Sequence, residues 1–154
     1  MTETGHTFCS DIAREHNVPL MASATRGGLW FLLEYSGSYE GKAFEQSEIP
    51  EQVKDYLQGV KIPGLKTRIL LIRQEDSRQR DGLHFFIGVT DPQNPRLFEY
   101  RLQSYTGILE LNLAELAAQG FEDSEHLRRE PLFLVCTNGR RDACCARYGP
   151  EIYQ

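Results

Sequence analysis

Short apolar runs rich in β-branched and aromatic residues recur between residues 30 and 102, and their spacing limits the folds open to this chain. Four runs predict strands, at residues 30–35, 67–73, 83–90 and 96–102. Between the first two, Pro50 begins a segment with apolar residues at helical spacing, and Gly59 lies near its end. Strands that alternate with a helix in this way predict an α/β domain.

A second helix is predicted after the fourth strand. Asn112 is a capping residue, Glu115 stands three residues later in capping-box position, and Gly120 ends the segment. From residue 30 to residue 119 the element order is then β-α-β-β-β-α. This is the order of a thioredoxin-like sheet with flanking helices, and other α/β folds share it.

The apolar run at residues 131–136 predicts a further strand, followed by a Gly-containing loop and a helix start. One interpretation is a domain at residues 1–128 and the beginning of a second, related unit at residues 129–154. The alternative is one domain, 1–154, in which the last strand joins the first sheet. Pro150 near the end indicates a helix start without a helix body, so we expect the chain to be a fragment of a longer protein.

Composition excludes several classes of protein. The net charge is −5, which disfavours a general nucleic-acid or anionic-membrane binder. No run approaches the roughly 18 apolar residues of a membrane span, and the first residues lack the pattern of a secretory signal. We therefore expect a cytoplasmic protein, in which clustered cysteines more often bind metal or carry out redox chemistry than form structural disulfides.

Three of the four cysteines lie in one short loop, at Cys136, Cys144 and Cys145. Cys136 and Cys145 form C-x8-C, which is wider than the C-x2-C of zinc ribbons and thioredoxin-type redox sites. A helix start at Asp142, which we predict to be its cap, and the nearby Arg140, Arg141 and Arg147 favour thiolate over thiol. The loop therefore predicts a metal or redox site.

Two thiolates are half of a four-ligand zinc or iron–sulfur site. Cys9 is distant in sequence, and we predict it to be a small buried residue. The four histidines show no paired metal spacing; we expect His84 to be a packed or surface imidazole and His16 and His126 to be solvated. A Cys144–Cys145 disulfide would be strained. The remaining ligands are therefore expected outside this chain.

Several of these positions resemble the sucrase/ferredoxin-like family, whose C-terminal part is a thioredoxin-like [2Fe–2S] ferredoxin. The similar segments are Phe8-Cys9-Ser10, Pro19-Leu20, Ala24, residues 30–34 and, most specifically, residues 134–149. The resemblance implies that Cys136 and Cys145 are cluster ligands, that Cys144 is not required, and that residues 129–154 begin a truncated ferredoxin-like domain.

The resemblance also implies two histidine ligands in a segment further along, which this chain lacks, and the family usually has His where Asn138 stands. Mixed Cys and His ligation raises the reduction potential, as in Rieske centres.

Three hypotheses follow from these features. The first is a [2Fe–2S] electron carrier that serves an unknown redox partner protein, with half of its cluster site, Cys136 and Cys145, in this chain. The second is a thiol–disulfide protein that uses the same two cysteines, and the third is a non-catalytic domain whose edge arginines bind a partner. A zinc site is a variant of the first. No carboxylate pair stands out as glycosidase-like, so the sequence lends no support to a sucrase activity.

Overall fold

The computed structural model describes residues 8–19 and 26–153, which fall into two compact units. We call Arg26–Phe133 the sheet unit, and residues 8–19 with 134–153 the cysteine unit. The described residues contain the α-helices α1 (Cys9–Glu15), α2 (Glu51–Gly59), α3 (Leu113–Ala118) and α4 (Ala143–Tyr153). The domain boundary near residue 128 and its one-domain alternative stay predictions.

The sheet unit is built on a mixed five-stranded sheet, which confirms the α/β class. Its strands are β1 (Leu29–Glu34), β2 (Thr67–Ile72), β3 (Leu83–Val89), β4 (Arg96–Leu102) and β5 (Leu127–Arg128). The order across the sheet is β2-β1-β3-β4-β5; β1 and β2 are parallel, and the other neighbouring pairs are antiparallel. The ends of β1 to β4 lie within one residue of the predicted ends.

Strand β1 is a near-continuous apolar run because it has a partner strand on each side and both of its faces are covered. Phe31 is fully buried on one face, where it packs in the main core with Ile87 of β3. Leu32 points to the opposite face and packs with Phe86 in a smaller apolar cluster. The sheet therefore buries side chains on both faces.

Helical segments pack on the face that carries the main core. Leu57 of α2, Ile108 of a 3₁₀ helix (Tyr105–Glu110) and Leu113 of α3 are fully buried there. The Asn112 side chain accepts a hydrogen bond from the Glu115 N–H at 3.2 Å, which confirms the predicted cap of α3. Gly120 follows α3 with a φ of +68°, which confirms the predicted glycine stop.

The strand predicted at residues 131–136 is wrong. The fifth strand is Leu127–Arg128, which pairs with β4, and residues 131–136 have no regular structure. Phe133 is 85% exposed and Leu134 is 48% exposed. An apolar, β-prone composition favours a strand, but strands require hydrogen-bonded partners, and this run has none.

The helix start predicted near Asp142 is confirmed, because α4 begins at Ala143. The second start, predicted at Pro150, is wrong, since Pro150 lies inside α4. Proline favours the first helical position but is also tolerated inside a helix at the loss of one backbone hydrogen bond. In the described ranges, no helix has both the length and the apolar character needed to cross a bilayer.

Candidate functional site

The loop from Cys136 to Asp142 packs closely on α4 within the cysteine unit. A Cβ atom added to Gly149 would collide with the carbonyl oxygen of Cys136. A Cβ atom added to Gly139 would likewise collide with the side chain of Ala146. Two glycines thus allow the loop backbone to approach the helix, which brings Cys136 close to the helix start.

Asn138 organises the turn inside this loop. Its main-chain oxygen accepts hydrogen bonds from the N–H groups of Arg141 and Asp142, both at 3.2 Å. Its side-chain oxygen accepts from the N–H of Arg140 at 3.1 Å. Asparagine before glycine is typical of such turns, so the sequence carried a signal for this role. The Asn138 side chain therefore shapes the loop.

The two predicted ligands, Cys136 and Cys145, lie together. Cys145 is the third residue of α4, its N–H donates to the main-chain oxygen of Asp142 at 3.0 Å, and its thiol is hydrogen-bonded with the thiols of Cys136 and Cys144. Cys136 is exposed, whereas Cys144 and Cys145 are half-buried. The C-x8-C spacing thus brings both ends of the loop to one point. The cap expected from the Asp142 side chain stays a prediction.

The expectation of a stabilised thiolate is wrong for Cys145. Burial raises the pKa of Cys145 to about 12, and contacts with the thiols of Cys136 and Cys144 add to this increase. A helix N-terminus is worth about 0.3–1 kcal/mol, which is less than about one pKa unit. Arg140, Arg141 and Arg147 are exposed to solvent, which screens their charges. Desolvation of the Cys145 thiol therefore raises its pKa by more than the helix N-terminus and the nearby arginines lower it.

Cys9 belongs to the same group of thiols. It was predicted to be a small buried residue, but it is exposed at the first position of α1. Its Sγ lies 2.9 Å from the Sγ of Cys144. The hydrogen bond with Cys144 and burial raise the pKa of Cys9. Sequence separation hid this contact, because the two cysteines are 135 residues apart.

Within residues 8–19 and 26–153, no group of three or more His, Cys, Asp and Glu side chains is arranged to hold a metal ion. Cys136 and Cys145 are therefore a pair of sulfur donors that would need further ligands to complete a tetrahedral site.

The histidines follow the predictions in part. His84 is buried in β3 and His16 is exposed, as expected, whereas His6 lies outside the described residues. His126 is not simply solvated, because its ring stacks on Tyr100 with centroids 4.4 Å apart and its Nδ1 lies 2.9 Å from Asp123. None of these side chains lies in the cysteine loop.

The sheet unit contains two ion pairs that no local sequence pattern indicates. In the charged loop at residues 74–82, Arg80 and Ser77 are half-buried and donate hydrogen bonds to the carboxylate of Glu34. Arg128 is also half-buried and donates a hydrogen bond to Glu99 at 2.6 Å. Both arginines are thus structural partners of carboxylates.

The sheet unit also contains a cavity of about 650 Å³ between α2 and α3. Apolar and small side chains such as Val60, Ile62 and Ala117 form much of its wall, with Asp55 and Lys61 as the charged members. None of the cysteines lines this cavity. The four cysteines of the cysteine unit therefore remain the stronger candidate site.

Comparisons with protein-family models, with curated proteins and with solved structures find no match to this chain.

Proposed function

We propose that this chain is part of a redox protein in which Cys136 and Cys145 hold one iron of a [2Fe–2S] cluster. The observation that carries the proposal is the contact between the two thiols across the C-x8-C loop. Thiolate sulfur is the donor that iron–sulfur clusters require, and a bound cluster supplies reversible one-electron transfer. The partner is then another redox protein, which exchanges electrons with the cluster.

The protonation of Cys145 is compatible with this role. A metal ion deprotonates a coordinating thiol outright and releases its proton. The raised pKa of Cys145 therefore predicts that cluster assembly releases protons and is favoured as the pH rises. The family resemblance implies that two histidines supply the other two ligands.

The sheet unit supports a thioredoxin-like assignment as part of the same proposal. Parallel β1 and β2 are joined through α2, and antiparallel β3 and β4 are followed by α3. The order β2-β1-β3-β4 places β1 in the middle of these four strands. We also assign the protein to the cytoplasm, since a reducing compartment suits four free cysteines.

The test is anaerobic reconstitution, with ferrous iron and sulfide, of a protein extended beyond Gln154 to include the paired histidines. We expect a red-brown protein that contains about two iron atoms per chain. Cys136→Ser and Cys145→Ser should each abolish the visible absorption, whereas the matched control Cys144→Ser should retain it. An extended protein that stays colourless and free of iron would contradict the proposal, and so would a cluster that survives both ligand substitutions.

A second candidate is a thiol–disulfide protein that uses Cys136 and Cys145, and the same contact between their thiols favours it. Thiol–disulfide exchange requires a thiolate, so the raised pKa values of Cys145 and Cys9 slow the exchange at either cysteine at neutral pH. Mass spectrometry of this chain in a glutathione redox buffer tests this candidate. A reversible Cys136–Cys145 disulfide would support it, and free thiols at both positions throughout the titration would exclude it.

A further inference from the structure

We propose that Cys9 and Cys144 form a second redox site, a dithiol that converts reversibly into an intramolecular disulfide by exchange with small disulfides. This inference does not depend on the cluster, because the proposed ligands are Cys136 and Cys145. The four cysteines then form two pairs with different chemistry. Cys136 and Cys145 coordinate the cluster, whereas Cys9 and Cys144 form the reversible disulfide.

The distance between the two sulfurs is the first support. The Sγ atoms of Cys9 and Cys144 are 2.9 Å apart, although the residues are separated by 135 positions. A disulfide bond measures about 2.05 Å. Formation of the bond therefore requires the two sulfurs to approach each other by about 0.9 Å. Rotation of the two cysteine side chains can supply this movement while the two helices stay in place.

A second contact holds the same two segments together. The ring of Phe8, which directly precedes Cys9, packs edge-on against the ring of Tyr148 with centroids 5.8 Å apart and planes at 68°. Tyr148 lies four residues after Cys144 on α4, which places both side chains on one side of that helix. This aromatic contact brings the backbones of Cys9 and Cys144 together independently of the thiols.

The partners of the remaining cysteines make this pairing selective. Cys9 is hydrogen-bonded with Cys144, and Cys145 is hydrogen-bonded with both Cys136 and Cys144. A disulfide between the adjacent Cys144 and Cys145 would be strained. Cys9 is exposed and Cys144 is half-buried, so a small disulfide in solution reaches Cys9 more easily.

The exchange balances with glutathione disulfide as oxidant. The Cys9 thiolate attacks one sulfur of glutathione disulfide, which forms a mixed disulfide and releases one glutathione thiolate. The Cys144 thiolate then attacks the Cys9 sulfur, which forms the Cys9–Cys144 bond and releases the second glutathione. Two electrons pass to the oxidant, and the two thiol protons end on the glutathione products.

The test is a redox titration of the 154-residue chain in glutathione buffers of graded ratio. Acid quenching, alkylation and peptide mass spectrometry identify the bonded pairs, and the intact mass shows that the protein is monomeric. We expect a Cys9–Cys144 linked peptide whose oxidised-to-reduced ratio changes tenfold for about every 30 mV, as a two-electron couple requires.

Variants separate this site from the proposed cluster site. Cys9→Ser and Cys144→Ser should remove the linked peptide, whereas Cys145→Ser should retain it. The wild-type titration needs no variant to fold, so it decides the question by itself. Exclusive oxidation of Cys136 with Cys145, a stable glutathione adduct at Cys9 without ring closure, or free thiols at Cys9 and Cys144 across the series would each overturn the inference.

Discussion

At the scale of single residues, Glu34 is a buried carboxylate of the sheet unit that requires hydrogen-bonding partners. It ends β1, and only 3% of its surface is exposed. Its carboxylate accepts hydrogen bonds from the His84 N–H at 2.7 Å and from the side chains of Ser77 and Arg80. A buried carboxylate is tolerated only when it is paired and hydrogen-bonded, so Glu34 fixes the loop that precedes β3.

We expect Glu34→Ala to lower the free energy of unfolding by about 1–3 kcal/mol, because it removes the acceptor of the buried His84 N–H and leaves Arg80 paired only with the exposed Asp76. Urea unfolding followed by circular dichroism measures this change. The control is Glu75→Ala, an exposed glutamate in the same loop, which should change stability by less than about 0.5 kcal/mol. Equal effects of the two substitutions would show that the buried ion pair contributes nothing.

At the scale of elements, the contact between the cysteine loop and α4 depends on glycine. Gly149 is buried, and the carbonyl oxygen of Cys136 occupies the space that a side chain there would need. The collision involves backbone, which cannot rotate away as a flexible side chain can. The approach of the loop to the helix therefore positions Cys136 against Cys145.

We expect Gly149→Ala to separate Cys136 from Cys145 and to lower stability by about 1–3 kcal/mol, as overpacking does. The rate of cross-linking of the two thiols by a short bifunctional reagent reports the separation. Gly59→Ala is the matched control, since a Cβ atom at the end of α2 meets nothing within 4 Å and alanine favours a helix. Unchanged cross-linking in Gly149→Ala would refute the role of this contact.

At the scale of the whole molecule, the two compact units differ in how they are stabilised. Every residue of the two apolar clusters lies between Leu29 and Leu132, within the sheet unit. In the cysteine unit, the described part of the chain contributes a helix of seven residues and one of eleven. Isolated helices shorter than about 12–15 residues are marginal in water, so contacts such as those of the thiols must support these helices.

We expect a protein of residues 26–133 alone to keep the sheet and to unfold in one cooperative urea transition, because it retains both apolar clusters. A peptide of residues 134–154 should show little helical circular dichroism by itself. A gradual transition of the larger fragment, or binding of a hydrophobic dye to it, would show that the sheet unit requires the rest of the chain.

The local elements were predictable because their signals lie within a few residues. Apolar runs of suitable length indicated β1 to β4, and Asn112 with Gly120 marked the ends of α3. Cys136 and Cys145 were singled out by spacing, and the structure brings them together. The last strand was misplaced because residues 131–136 have the composition of a strand but no partner.

The sequence by itself determined the α/β class, the order of the central elements and the loop that brings Cys136 close to Cys145. Tertiary structure alone decided the contact of Cys9 with Cys144, the pairing of Glu34 with Arg80 and the protonation of Cys145. The physical reason is that these properties depend on distance and desolvation in space. Partners 46 and 135 residues apart leave no periodic signal in the chain.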